Sequence, residues 1–477
     1  MLTRPCQRVN HAGGPFAGRV RRGTLAAQQR ETPHAEALGN AMSDRIFAPG
    51  FQARPYWWEA AEPPQRDNAL PERCRVAIVG GGYTGLSAAL TLRRLGHEVT
   101  VLDAERIGWG ASSRNGGMVS GGLKVARGPL TKNFGEERAA EIARACGASF
   151  PFIEELIARE QLDCDYVRSG RFVGAYTPKH LATLAGNRAR IEEISGDSAT
   201  MIDKAGVRGF VATDHYYGGL HAAGAGSLHP GKYARSLAAA AERLGAHLVD
   251  QVRVTETVKE AGGFRLVTTR GEMRADAVLM ATNGYSRGGP MPWLTKRLMP
   301  IGSYIIATEE LGEERINRIF PHRHMISDTK RVLNYYRPSP DGKRILWGGR
   351  ASFGPSTPEE AAPTLHAMML EVLPELKDVR ITHAWTGNVA FTFDYLPHLG
   401  VEDGVHYAAG CQGSGVAMAS WMGHNAALKI AGAANAGFAL DSLHFPTRAF
   451  YDGNPDWFLP IVGGWYRLRD RVDRVLA

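Results

Sequence analysis

The chain has 477 residues, 44% hydrophobic and 22% charged, enough to bury a sizeable core as two domains or one elaborated one. Its longest apolar run, Gly415–Ile430, is interrupted by His424, Asn425 and Lys429. That excludes a span of the roughly 18–20 apolar residues a membrane crossing needs, so the run is expected as a core helix. The net charge of +8 is largely local, because residues 1–41 carry six arginines against two glutamates, and the remainder has no basic excess that calls for nucleic acid. The five cysteines, Cys6, Cys74, Cys146, Cys164 and Cys411, never form a CxxC pair. They fit the reducing cytoplasm, with no disulfide framework and no metal site.

Residues 1–41 are rich in Arg, Gly and Gln, with no apolar periodicity and no secretory core. They are expected to be a disordered extension, either transit-like or mis-annotated upstream of a start at Met42. An arm over 42–73 follows, with the aromatic stretch Arg54-Pro55-Tyr56-Trp57-Trp58-Glu59 packing over the body. Arg75–Val79 predicts a buried strand, Gly80-Gly81-Gly82-Tyr83-Thr84-Gly85 a glycine turn opening a helix, and Val99–Leu102 a second strand ending at Asp103. Gly80 allows the tight turn, Gly82 lets backbone approach a pyrophosphate, Gly85 lets helix pack on strand, and Asp103 is placed to accept from a ribose hydroxyl. The free N–H groups and dipole of the helix start suit the phosphates.

Helical periodicity runs over 136–160, again over 178–194, and over Gly231–Leu244. Ala246–Asp250 reads as a strand, Val252–Lys259 with Phe264–Thr269 as a hairpin, and Ala275–Gly284 as a strand ending in a small-residue turn. Ile301–Thr308, Val332–Tyr336 and Arg344–Gly349 read as strands of an insertion, with a helix near Pro358–Leu373. Trp385–Phe393, a strand at Val405–Ala409, the turn Gly410–Gly415 and a helix to about Ala433 complete the pattern. The fold class is α/β with an α+β insertion. Segments 74–125, 220–300 and 381–435 are expected to form a nucleotide domain, 126–219 and 301–380 a substrate domain, and 436–477 a tail.

These segments, together with Ile107–Gly117, Ser227-Leu228-His229-Pro230, Leu346–Gly349 and Asp394–Gly400, resemble the FAD-dependent D-amino-acid oxidase superfamily. The likeness lies in its glycine and sarcosine oxidase branch and is greatest to the γ-glutamylputrescine oxidases. It implies a Rossmann-like FAD domain of the glutathione-reductase type with a strand-rich substrate domain. It also implies a non-covalent FAD, since Thr382–Thr392 holds no cysteine to tether one. By the same resemblance, FAD lies against Gly80, Gly82, Tyr83, Thr84, Gly85, Asp103 and Ala104 on the nucleotide side. Around the pyrophosphate and flavin edge come Gly110, Ala111, Ser112, Arg114, Asn115, Gly116 and Gly117. Val254, Ala281, Thr282, Gly284 and Gly387 follow, with Gly410, Gly413, Ser414, Gly415 and Val416 approaching the flavin ring.

A bound flavin would carry the hard chemistry, which accounts for a sequence with no evident Ser-His-Asp set or metal cluster. The expected reaction oxidises the C–N bond of a small amine or amino acid to an imine, which water hydrolyses, with oxygen or another acceptor reoxidising the flavin. His229 is a candidate for moving a proton near neutral pH. Of Tyr335 and Tyr336, strand alternation lets only one face the flavin, and Tyr336 is taken as that one. Arg350, just after a strand, is a candidate partner for a substrate carboxylate. Two alternatives share the scaffold: an FAD-dependent hydroxy-acid dehydrogenase and a non-catalytic flavin-binding subunit.

Overall fold

The structure, a computed structural model, describes residues 46–477 apart from 124, 126, 435 and 436. The extension over 1–41 and its boundary at Met42 lie outside the described residues. Arg73–Val79 is buried along its second half and runs at the centre of an eight-stranded sheet. It pairs in parallel with Val99–Leu102 on one side and Gly271–Met280 on the other. Being covered on both faces, it is written as an unbroken apolar run rather than an alternating one. The sheet extends through His247–Val249 at one edge and the hairpin Val254–Glu260 with Gly263–Thr268 at the other. Val405–Ala409 joins it in parallel beside the end of Gly271–Met280.

Three helices fix what this sheet presents. Helix α1 (Tyr83–Arg94) follows the first strand, α2 (Pro230–Arg243) starts on His229 as its cap, and α3 (Gly415–Ala431) follows Val405–Ala409. Helices α1 and α3 approach until a methyl group at Gly423 would overlap the carbonyl oxygen of Thr84. A last helix, α4 (Leu459–Val475), occupies what the sequence suggests is a tail.

The larger sheet has nine strands and carries the insertion. Met299–Thr308, Ile345–Gly349, Asn334–Pro338 and Met325–Asp328 lie side by side, followed by Arg171–Gly174, Gly219–Ala222 and Ala199–Ile202. Ile381–Phe391, expected with the nucleotide segments, belongs here instead, because it pairs antiparallel with Met299–Thr308 from Met299 opposite Phe391 to Thr308 opposite Ile381. The single helix expected over 136–160 is two, Glu136–Gly147 and Ser149–Glu160. Ser149 Oγ donates to the Cys146 carbonyl (2.6 Å), a local bond that competes with the helix and bends it.

The Gly423 contact gives a direct test of this packing. A Gly423→Ala protein should lose about 1–3 kcal/mol of stability, because its methyl group meets backbone that cannot rotate away. Gly186→Ala, on the helix Pro178–Ser195 with open space around it, should be neutral or slightly stabilising. Equal melting temperatures for the two variants would contradict the close approach.

Candidate functional site

The first turn is built by backbone contact. Gly80 has φ +109°, and a side chain there would lie 2.7 Å from the Ala281 carbonyl oxygen. That draws Ala281 and Thr282 beside the turn, and Ala281 N donates to the Val79 carbonyl (2.8 Å). Gly85 packs so tightly on Gly80 that a methyl group would overlap its carbonyl oxygen. Gly81 N donates to Asp103 Oδ2 (2.7 Å) and Tyr83 N to Ser112 Oγ (3.0 Å), whereas the N–H groups of Gly82 and Thr84 have no acceptor among the described residues. Those two groups at the start of α1 are free to bind an anion.

Asp103 also accepts from Glu105 N (2.9 Å) through Oδ1. Each carboxylate oxygen has two lone pairs, so one on each remains for an incoming hydroxyl. Burial, helped by the nearby Asp250, pushes the Asp103 carboxyl up to about 6 against the two backbone bonds that stabilise its charge. Val254 is buried at the start of its strand, near Val252, whose N–H donates to the Asp103 carbonyl (2.7 Å).

The block Gly110–Gly117 lies against the same turn, and its side chains mostly hold one another. Asn115 Nδ2 donates to Ala111 O (3.0 Å), Ser112 O (3.1 Å) and Tyr83 Oη (3.2 Å), and its Oδ1 accepts from Gly117 N (2.8 Å). Asn115 therefore staples the loop rather than reaching outward. Arg114 donates to Trp109 O (2.8 Å), with its Cζ 4.7 Å from the Trp58 ring centroid and 4.1 Å from that of Trp109. The aromatic lead-in completes this brace, with Trp57 Nε1 donating to Asn115 O (2.8 Å) and Trp58 Nε1 to Ser113 Oγ (3.0 Å). Sequence reasoning expected the lead-in to pack on the body but gave it no part in the site.

Later segments close the ring. Gly410 N donates to Asn283 Oδ1 (2.9 Å), Gly284 abuts Asn388, and Gly387 abuts Arg114. Gly413, Ser414, Gly415 and Val416 lead into α3. Cys411 accepts from Asn283 Nδ2 (3.3 Å), and burial pushes its thiol up, so it is no reactive thiolate.

Two of the three catalytic candidates are corrected. His229 Nδ1 accepts from Lys232 N (3.1 Å), capping α2, and its ring meets the edge of Trp57 at 4.8 Å. Burial pushes the imidazole down to about 4, so it is neutral near pH 7, and its Nδ1 is taken up in capping the helix. Tyr336 turns away into the core against the nine-stranded sheet, stacked on Trp347 at 4.1 Å and bonded to Tyr216 Oη (3.0 Å). Alternation puts Tyr335 on the opposite face, where its ring covers Gly348 and reaches Gly116; Ser303 Oγ lies 2.9 Å from its hydroxyl.

Arg350 ends against an aromatic ring. Its Cζ lies 4.6 Å from the Phe391 ring centroid, and Tyr466, Tyr395 and Tyr335 are the ionisable groups near enough to act on its charge. Burial lowers its affinity for the proton, and among the described residues no carboxylate and no hydrogen-bond acceptor pairs with it. A guanidinium held this way is suited to a bidentate anion. These aromatic groups come from three segments, at 335, 391–395 and 466, and sequence reasoning identified only Arg350 and, as an alternative, Tyr335.

Comparison with known proteins fits this geometry. The family described as FAD dependent oxidoreductase (DAO) matches residues 75–428. The chain is 33% identical over 404 residues to gamma-glutamylputrescine oxidoreductase of Escherichia coli (strain K12), covering 84% of this chain and 93% of that protein. It is 32% identical to a probable oxidoreductase, OrdL, of Rhizobium meliloti (strain 1021), over 89% of this chain and 98% of that one. Among solved structures, glycine oxidase from Geobacillus kaustophilus shares the fold with a TM-score of 0.61 at 22% identity, over 74% of this chain and 93% of its own. The unbonded N–H groups at the turn and the two spare lone-pair positions on Asp103 suit the pyrophosphate and ribose of FAD. The chain belongs to the DAO family of FAD-dependent oxidoreductases, and it is a flavoenzyme.

Proposed function

We propose that the enzyme oxidises an amine at the carbon next to nitrogen, and that its substrate carries a carboxylate at the end away from that amine. The observation that supports this most is Arg350, which lies against Phe391 with no anion partner among the described residues, near Tyr335, whose ring reaches Gly116. γ-Glutamylputrescine, named by the relative at 33% identity, has this layout, with a primary amine at one end and a carboxylate at the other.

Bound FAD supplies the acceptor for a hydride equivalent. The chain's own residues bind and orient. In this reading Gly82 and Thr84 N–H groups hold the pyrophosphate, Asp103 holds the ribose, and the stapled Gly110–Gly117 loop, with the Ala281–Gly284, Gly387 and Gly410–Val416 segments, encloses the flavin. Arg350 anchors the carboxylate beside the Phe391 ring. The amine reacts in its neutral form, because a protonated nitrogen has no lone pair to support loss of hydride. The FAD is held without a covalent tether, and the free thiols of Cys74, Cys146, Cys164 and Cys411 suit the reducing cytoplasm.

Substituting Arg350 tests the substrate assignment. Losing a charge-assisted pair is worth about 1.5–3 kcal/mol, so Arg350→Gln should raise KM for γ-glutamylputrescine roughly tenfold to a hundredfold. KM for putrescine, which has no carboxylate, should stay where it is. Equal losses on both amines would show that Arg350 acts on the fold and not on the substrate.

Asp103 gives a pH signature for cofactor binding. Ribose hydroxyls donate only to lone pairs, so they favour the ionised carboxylate and pull its pKa below the value of about 6 that burial gives it without ligand. FAD binding then releases a proton in that window, and affinity should fall as pH drops through about 6. Asp103→Asn should bind FAD at least about tenfold more weakly at pH 8 and lose this pH dependence. An unchanged dissociation constant or an unchanged pH profile would remove Asp103 from the site. Flavin that stays with acid-precipitated protein, when apoprotein is prepared for this titration, would contradict the untethered cofactor.

A further inference from the structure

Helix α4 is inverted relative to an ordinary surface helix, with polar groups inward and apolar groups outward. Its inner side is fixed by buried Asp470, which accepts from the N–H groups of Arg331 (3.1 Å) and Val332 (2.9 Å). Arg467 donates to the Ala351 carbonyl (2.7 Å), Arg474 to that of His215 (3.1 Å), and Gly463 packs against Phe353. The outer side shows Ile461, Trp465, Leu468, Val472 and Val475, at steps of four, three, four and three residues, which align along one face. Ile461 is 72% exposed and Trp465 56%. The preceding turn adds Phe450 and Trp457, both more than half exposed.

Eight of the fourteen large apolar side chains that are exposed among the described residues therefore fall between Phe450 and Leu476. Apolar exposure concentrated to this degree marks an interaction surface. Its charge identifies the partner. Of the helix's two acids, Asp470 is buried and Asp473 is engaged by Arg331 (2.6 Å), with Arg469 a further 3.9 Å from its other oxygen, so the exposed charges beside the stripe are Arg469 and the unpaired Arg471, a net basic edge. A second copy of the chain related by a two-fold axis would set these arginines against each other. An anionic lipid surface accepts both features, with tryptophan and aliphatic side chains entering the headgroup boundary and arginines meeting phosphates. No described helix is long and apolar enough to cross a membrane, so the contact is peripheral.

We propose that α4 and the Phe450–Trp457 turn dock this enzyme on an anionic lipid surface, a contact separate from catalysis. The same helix carries Tyr466, an ionisable neighbour of Arg350, so the docking face lies on an element near the candidate substrate site.

The test is cosedimentation of the full-length FAD-loaded enzyme with vesicles of phosphatidylglycerol and phosphatidylcholine in equal parts, and with phosphatidylcholine alone. The wild type should bind the mixed vesicles and stay partly bound at about 0.5 M salt, because burial of apolar side chains is not screened. A Trp465→Ser/Leu468→Ser variant should bind more than about tenfold more weakly at both salt concentrations. Its flavin spectrum and melting temperature should be those of the wild type. An Arg469→Gln/Arg471→Gln variant, whose apolar stripe is intact, should lose its preference for the anionic vesicles. The proposal is overturned if the serine variant binds as the wild type does, since the arginine-rich first 41 residues would then account for the attraction. It is equally overturned if the wild type ignores vesicles, or forms a dimer that the serine variant breaks.

Discussion

The site depends on backbone meeting backbone at the Gly80–Gly85 turn. Gly80 lies against Ala281, Gly85 against Gly80, and Gly423 of α3 against Thr84 of α1, and no side chain fits at any of the three. Close packing at these points converts three separate strand–turn segments into one surface. The first presents unpaired N–H groups at a helix start, the second passes a small-residue turn beside them, and the third brings another glycine turn within reach. A methyl group in any one contact would displace backbone, not a rotamer, so these glycines are constraints on the site as well as on the fold.

A second layer of support comes from aromatic side chains whose polar edges hold loop backbone. Trp57, Trp58 and Trp385 donate to Asn115 O, Ser113 Oγ and Arg114 O, while Arg114 lies between the Trp58 and Trp109 rings. Buried indole N–H groups need acceptors, and here they meet that need by fixing the loop that lines the cofactor site. The residues of this loop that look like ligands, Arg114 and Asn115, are largely occupied in building it. The contrast with Arg350 is informative, because its guanidinium lies against Phe391 and is left without an anion among the described residues. Arg114 is committed to the loop, whereas Arg350 is not committed to any acceptor among those residues.

Legibility in the sequence tracks how local each signal is. The turn at Gly80, the acid at 103 and the turn at Gly410 are each carried within one strand–turn–helix, and their positions were readable from spacing alone. Asp103 was legible as an acceptor, but not the burial beside Asp250 that raises its pKa. The choice between Tyr335 and Tyr336 depends on which face of Asn334–Pro338 is stacked by Trp347 of the neighbouring strand, a register the sequence does not encode locally. His229 sits where a helix begins, and its imidazole was as suited to capping as to proton transfer until Lys232 N was seen to use it. Tyr395 and Tyr466 come from a loop and from α4, far apart in the chain, so nothing in sequence spacing joins them to Arg350. Helix α4 escaped notice as an element because its polar residues face inward, against the usual pattern.

The central claim is that an amine bearing a distant carboxylate is oxidised at this flavin site. Anaerobic mixing of the FAD-loaded enzyme with single candidates, followed through the flavin absorbance, tests it without reference to the electron acceptor. γ-Glutamylputrescine should bleach the flavin, putrescine should do so only at much higher concentration, and glycolate and lactate should leave it oxidised. Bleaching by the hydroxy acids with none by the amines would contradict the account and assign the scaffold to hydroxy-acid oxidation.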